Sequence, residues 1–483
     1  MFGGKILDRA FANRAPIPGN YYRSCGAILG AVFLSVAVQL ALSLDATPPG
    51  TYRQRGTSSL QRLFRAHFPE LVARYESEFA TQLGKFRLER ITKAVQRFLA
   101  CGDYRRGIAR IKCTNPDCGL EYFRPFSCKV FHLCPSCSQK RTLLFGEYVN
   151  EQLLLRLPHR QIVFTFPKVL RGFFRHDRGL YGETSKLVYR MIQRFYSSAA
   201  GYRIRSAAVI AYSSAGDFVR FNPHLHAIFL EGGFDRQGRF VHVPALNLAR
   251  LAQYFRASMV AFFLKRSLIN ERLGRNMLQW THSGFSLDMS VRIPANSSKT
   301  REALAQYIAR PPVSLSKMLV EEHEASVLYR SEYNPYFKTN NRLFPALEFL
   351  VQLLQHLPDA RTQLIRRYGL YSSRSRGTWS RMPYLVRLAP EGWIRQHEQH
   401  PAGRLDGTPE SCPDQSVSAK VSRAAWARLL AKIYEVDALK CSRCGSPMKV
   451  LALITDPHEV RRILLHLIKT GLAPPGLEAA SLS

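Results

Sequence analysis

The sequence predicts an α+β protein: a helical, cysteine-bearing N-terminal region followed by a domain built on a sheet. Three observations carry this expectation. Apolar residues recur at three- and four-residue spacing through residues 51–100, the period of a helix with one buried face. Five cysteines, Cys113, Cys118, Cys128, Cys134 and Cys137, crowd into the next stretch. From residue 160 onward, short runs of β-branched and aromatic residues alternate with amphipathic segments, which suits an α+β sheet domain.

The chain has 483 residues, enough for two to four domains with their own cores. It carries 69 Lys+Arg against 35 Asp+Glu, a formal charge of +34. The surplus is spread through segments that also look folded, so a basic tail is not its source. Such a charge calls for a polyanionic partner, nucleic acid first and an anionic membrane second. Clustered cysteines in a large basic chain point to metal thiolates in a reducing compartment and away from a disulfide framework.

Residues 26–44 (GAILGAVFLSVAVQLALSL) are uncharged and near the ~20 residues that span a bilayer. A membrane anchor or signal is one reading. A non-functional extension is preferred, because a secreted protein would not keep clustered metal thiols. In residues 51–100, Leu60, Leu63, Phe64, Phe68, Leu71, Tyr75 and Phe79 set the helical period, and Phe86, Ile91, Val95 and Phe98 continue it. Interspersed arginines and lysines would suit a phosphate backbone or a solvated face equally.

Next come two knuckles, Cys113-x4-Cys118 followed by Gly119, and Cys134-x2-Cys137. Paired thiolates on short turns suit tetrahedral zinc. A structural site built from Cys113, Cys118, Cys134 and Cys137 is the first expectation. Cys128 and His132 lie between the knuckles as substitutes or ligands of a second ion, with Cys101 as a further candidate.

Beyond residue 160, QIVFTF (161–166) reads as a strand stopped by Pro167, residues 182–200 as an amphipathic helix, and AAVIAY (207–212) as a second strand. A turn at Gly216-Asp217 leads into FNPHLHAIFL (221–230), a buried strand. On a strand, residues two apart share a face, so His224 and His226 can reach one metal ion; two satisfied core histidines are the alternative. Residues 246–265 suggest a helix, FSLDMSVRI (285–293) a strand, and KTREALAQYIAR (299–310) a helix stopped by Pro311-Pro312. Tyr307 and Arg310 share a face of that helix. A phenol becomes a useful nucleophile beside a metal and a cation, although a tyrosine in this position is more ordinarily a packing residue.

Leu343–Leu357 reads as a helix ending at Pro358. Tyr368 and Tyr371 sit in an arginine-rich segment as DNA contacts or backup nucleophiles. Residues 377–420 read as a linker, 421–469 as a C-terminal module that opens with a helix at 421–434 and carries a CxxC pair, and 470–483 as a tail. Cys441-x2-Cys444 is half a zinc site, whose other half is Cys412, a histidine or another chain.

The order of these features resembles rolling-circle insertion-sequence transposases, in which a zinc-binding domain precedes an HUH tyrosine nuclease (His, hydrophobic, His). The resemblance runs from about Gly50 to about Leu467. It rests on GTYRQRG at 50–56, SCKVFHLCPSC at 127–137, LPHRQIVFTFP at 157–167, NPHLHAIFLEGGF at 222–234, YIARPP at 307–312, RRYGLYSSRSR at 366–376 and KCSRCGSPMKVLALITD at 440–456. Each motif is modest, but their joint order is specific.

The resemblance implies a nuclease domain over 151–376 with a central antiparallel sheet, after a recognition domain at 51–150. His224 and His226 map onto the ligands of a divalent ion, Mg2+ or Mn2+, and Tyr307 onto the nucleophile, with Arg310 beside it. Asp288 is the candidate third ligand, by charge and location. Some members carry a second tyrosine four residues on. Here that position is Pro311, so the chain looks like a single-tyrosine member. The implied partners are single-stranded DNA and the hairpin ends of its own element, with a homodimer as an option and no small-molecule substrate or membrane. The implied setting is the bacterial cytoplasm, at the nucleoid. A zinc-bearing nucleic-acid-binding protein without chemistry, and an HUH replication initiator or relaxase, are the competing readings.

Overall fold

The structure is a computed structural model that describes residues 58–83, 88–244, 247–321, 323–335, 337–359, 362–399, 441 and 443–473. The apolar stretch at 26–44, the GTYRQRG motif, Cys412, the expected helix at 421–434 and all but the start of the tail lie outside the described residues. Among the described residues no helix is long and apolar enough to cross a membrane.

The N-terminal helices form where the periodicity placed them. Helix α1 spans Ser59–Arg74 and α2 spans Leu88–Leu99. Ser58 opens α1 with a full capping box, its side chain accepting from the Gln61 N–H while Gln61 reaches back. Two strands then pair antiparallel, β1 (Ile108–Cys113) and β2 (Glu121–Pro125). Helix α3 (Pro135–Tyr148) starts on Cys134 with proline at its first position.

The second half is organised around β3 (His159–Thr165). Helices α4 (Lys168–His176) and α5 (Leu180–Ala200) follow, then strands β4 (Ala207–Ala215) and β5 (Phe221–Leu230). A small hairpin of β6 (Gly232–Phe234) and β7 (Phe240–His242) leads to helices α6 (Leu248–Lys265) and α7 (Glu271–Gln279). Two short strands, β8 (Ser286–Asp288) and β9 (Arg292–Ile293), stand where one was expected, and α8 (Ser298–Ile308) comes next. A three-stranded sheet of β10 (Met318–Glu321), β11 (Ser326–Asn334) and β12 (Thr339–Pro345) precedes α9 (Ala346–Leu354). Strand β13 (Ile365–Gly369), helix α10 (Glu391–Gln399), strand β14 (Met448–Ile454) and helix α11 (Pro457–Lys469) complete the order.

The central sheet has the order β13-β4-β5-β3-β8, with β9 also on β3, and every pairing is antiparallel. Its two faces are buried differently. Ile162, Phe164, Leu225, Ala227 and Phe229 point into one core beneath α4–α6. Val209, Ala211, Ile228 and Leu230 face the opposite core, which includes Leu304, Ala305 and Ile308 of α8. Burying each large apolar side chain contributes roughly 1.5–3 kcal/mol, so the register of β5 is strongly fixed: a slip of one residue would turn His224 and His226 to the other face.

The expected domain borders shift in three places. Leu60, Leu63 and Phe64 of α1 share a core with Val327, Phe349 and Leu350, so the N-terminal helices pack onto the segment that follows α8. The expected linker begins as folded chain, with Trp379 and Leu385 fully buried and Trp393 nearly so against the β4–β5 face. Strand β14 pairs antiparallel with β1, so the C-terminal strand and helix join the first cysteine-bearing sheet instead of forming a separate module.

Candidate active site and metal centres

His224 and His226 project from the face of β5 that α8 covers. Their ring Nε2 atoms lie 2.9 Å apart. His224 Nδ1 is 2.7 Å from the Asn222 carbonyl, to which it donates, leaving the Nε2 lone pair turned toward His226. His226 Nδ1 is 3.2 Å from the Gln161 amide nitrogen, and the Gln161 Oε1 is buried without a hydrogen-bond partner. Turning the Gln161 amide over lets Oε1 accept the His226 Nδ1–H and directs the second Nε2 lone pair at the first. Burial holds both imidazoles below the usual histidine range. Two neutral rings with converging lone pairs fit a divalent ion.

Tyr307 lies over this pair. Its ring centroid is 5.4 Å from that of His226, with the planes near perpendicular at 86°. The position follows from α8: Ser297 caps it by accepting from Thr300 N–H, and Arg301, Leu304, Ala305 and Ile308 bury its inner face. The Arg310 guanidinium carbon sits 5.4 Å from the Tyr307 ring centroid. Burial raises the Tyr307 phenol above its ordinary range, Arg310 lowers it, and Asp288 and Glu332 raise it further.

All four residues line one cleft of about 820 Å3. Its wall adds the cations Arg141, Lys317 and Arg367, of which only Arg367 lies in a stretch the sequence had drawn attention to, the arginine-rich run at 366–376. Tyr148 lines it too, and its hydroxyl accepts from Arg367 and, at 2.7 Å, from Arg376. Their signal was hidden because they come from three separate segments. Gln161 was also missed, although it lies in the QIVFTF strand whose alternation places it on the histidine face.

Asp288 pairs with Val163, as His226 does, so it lies in the same row of the sheet. Its carboxylate instead accepts from the Ser290 N–H, and no cluster of His224, His226 and an Asp, Glu or Cys forms among the described residues. The expectation that Asp288 completes the ligand set therefore lacks the required approach. Tyr368 and Tyr371 do not line the cleft. Tyr371 is fully buried, its hydroxyl 2.5 Å from His159 Nε2 and accepting from Leu155 N–H. Tyr368 bonds Ser185 at 2.6 Å and stacks on Tyr189.

The cysteines regroup. Cys134 and Cys137 stand with Cys101 and Cys128, and Cys113 and Cys118 stand with Cys441 and Cys444. The expected single quartet is split because β1 carries Cys113 away from the loop before α3. In the first group, Sγ atoms lie 3.9 Å apart for Cys101–Cys137 and 3.6 Å for both Cys128–Cys137 and Cys134–Cys101. Four thiols at such spacing fit a closed tetrahedral zinc site. His132 is not among them; its backbone N–H donates to Ser138, and the residue lines the cleft.

Comparison with known proteins matches residues 211–378 to a family model described as a putative transposase. Residues 71–166 match a transposase zinc-binding domain. The chain is 23% identical over 380 residues to the transposase for insertion sequence element IS801 of Pseudomonas savastanoi pv. phaseolicola, covering 75% of this chain and 84% of that protein. No solved structure matches.

Proposed function

We infer that this chain, which belongs to the insertion-sequence transposases with an N-terminal zinc-binding domain, nicks single-stranded DNA at element ends through a 5′-phosphotyrosine and rejoins it at a target by rolling-circle transposition. The observation that carries the reading is the edge-to-face contact of Tyr307 with His226, beside the converging His224–His226 pair, in a cation-lined cleft.

The Tyr307 phenol oxygen attacks the scissile phosphorus and loses its proton. The phosphorus–O3′ bond breaks, and the leaving 3′ oxygen takes up a proton to become a free hydroxyl. The DNA 5′ phosphate stays on the tyrosine. Rejoining runs this backwards: a 3′ hydroxyl attacks the phosphotyrosine and releases the phenol. One phosphodiester is exchanged for another, so no nucleotide cofactor is consumed. His224 and His226 would hold a divalent ion, Mg2+ or Mn2+, which would supply polarisation of the phosphate. Arg310 is placed to favour the phenolate, and the arginines and lysine of the wall to hold the DNA backbone. Desolvation favours the neutral state of His224 and His226 and so keeps their lone pairs available to a metal.

The test is a covalent-adduct assay with labelled single-stranded DNA from the element end, in Mg2+ or Mn2+, resolved on a denaturing gel. A protein–DNA band is expected. It should vanish in Tyr307→Phe and in the His224→Ala, His226→Ala double variant. A band that survives Tyr307→Phe would place the nucleophile elsewhere. Tight, salt-sensitive binding with no band under either metal would favour a binding protein without chemistry.

A further inference from the structure

The second cysteine group has a feature that the zinc-domain match does not contain. Cys113 and Cys118 fall within the matched residues 71–166, whereas Cys441 and Cys444 come from the far end of the chain. The Sγ atoms of Cys118 and Cys441 lie 3.5 Å apart across 323 residues, and those of Cys113 and Cys444 are also 3.5 Å apart. All four lie within 4.8 Å of one another.

We propose that Cys113, Cys118, Cys441 and Cys444 bind a second structural zinc ion that clasps the C-terminal segment onto the zinc-binding domain. Zinc–thiolate bonds near 2.3 Å in a tetrahedron put sulfurs about 3.8 Å apart, close to the spacing seen here. The sulfurs are well beyond disulfide bonding distance, near 2.05 Å.

The backbone is built for this on both sides. The first knuckle turns at Gly119 in a left-handed conformation (φ 62°), with Cys113 N–H donating to the Leu120 carbonyl at 2.8 Å. The second turns at Gly445 (φ 74°), with Cys441 N–H donating to the Ser446 carbonyl at 2.7 Å and Gly445 N–H to the Cys441 carbonyl at 2.8 Å. The two knuckles are joined directly. Thr114 donates to the Pro447 carbonyl from both its N–H and its hydroxyl, and Arg443 donates to the Cys118 carbonyl.

The site sits at the end of a paired ladder. Strand β14 runs antiparallel to β1 from Cys113↔Met448 to Ile108↔Ile454. Helix α11 closes over it, with Val460, Leu464 and Leu467 packed on Ile108. This core is small, so a metal crosslink between its two pieces adds stability that apolar burial alone does not supply. The zinc-binding domain is then a two-part unit holding two ions, and a chain cut before Cys441 loses an ion, a strand and a helix together.

The experiment is zinc counting on the full-length protein purified without chelator, by inductively coupled plasma mass spectrometry. Two zinc ions per chain are expected. The Cys441→Ser, Cys444→Ser double variant should keep one, and Cys128→Ser, Cys137→Ser should keep the other. Because local unfolding of a serine variant would also lose zinc, thiol alkylation of the unaltered protein is mapped in parallel. Cys113, Cys118, Cys441 and Cys444 should resist iodoacetamide in the metal-loaded protein and become labelled together on chelation. One zinc in the unaltered chain, two in the Cys441→Ser, Cys444→Ser variant, or free labelling of Cys444 and Cys118 with metal present would each overturn the proposal.

Discussion

Gly146 of α3 lies against Gln306 of α8: a Cβ placed on it would come within 2.6 Å of the Gln306 Cγ and 3.2 Å of the Glu302 Cγ. The same two helices are tied where Thr142 donates from its hydroxyl to the Ala309 carbonyl at 3.2 Å. Helix α3 begins at the Cys134–Cys137 knuckle, and α8 carries Tyr307. The cysteine site therefore sets the position of Tyr307 through a single helix. Gly146→Val should force the helices apart at a cost of about 1–3 kcal/mol. We expect adduct formation to fall at least tenfold while zinc content is unchanged. Equal loss of zinc and activity would instead mean that the domain had unfolded.

Gln161 is the second lever on the site, since it is the side chain that contacts His226 Nδ1. A neighbour that accepts from the distal nitrogen of a metal-binding imidazole typically contributes 10–100-fold in affinity. Gln161→Leu should raise the divalent-ion concentration for half-maximal adduct formation by about that factor. Rate at saturating metal should be largely restored. Loss that no metal concentration recovers would assign Gln161 to DNA contact instead.

Much of this site was legible because its parts are local. The strand alternation around Leu225 fixes the shared face of His224 and His226, and the Pro311-Pro312 stop fixes the end of α8. What escaped depends on pairings distant in sequence. Nothing near Cys113 announces that β14 will lie beside β1, so Cys113, Cys118, Cys134 and Cys137 looked like one quartet. The arginine-rich RRYG run forms edge strand β13, paired along β4; its Arg367 lines the cleft, whereas its Tyr368 turns away to Ser185. Tyr368→Phe and Tyr371→Phe should both retain the adduct. Only Tyr371→Phe should lower thermal stability markedly, by about 1–3 kcal/mol, since it strips His159 and the Leu155 N–H of their buried partner.

Acid should weaken the fold through histidines held neutral in the interior. Burial lowers His159 to about 3 and His356 to about 4. His356 bridges the Ser214 hydroxyl and the Val219 carbonyl, clamping the turn that leads into β5. In the unfolded chain these rings titrate near ~6.5, so between that pH and the folded values the unfolded state binds more protons. Their contribution is full above about pH 6.5, declines as pH falls toward 4 to 3, and levels off below. Melting temperature should follow that course. His356→Gln should melt lower at pH 7.5 but show a shallower decline on acidification; an unchanged slope would exclude His356 as a source.

Arg310 acts on the phenol by charge, and pH separates that role from a contact with phosphate. Burial raises the Tyr307 pKa and Arg310 opposes it. If the phenolate attacks, single-turnover adduct formation should climb with pH through the neutral range and flatten once the phenol has ionised. Removing the cation in Arg310→Gln raises the phenol further, so the inflection should move to higher pH. Each unit of that shift costs about tenfold in rate at neutral pH and nothing on the alkaline plateau. Asp288→Asn removes a charge that raises the phenol, and should move the inflection the opposite way. Arg310→Lys keeps a cation without the planar guanidinium and should fall between the unaltered protein and Arg310→Gln. A loss in Arg310→Gln that is the same at every pH would mean that the guanidinium serves the phosphate and not the tyrosine.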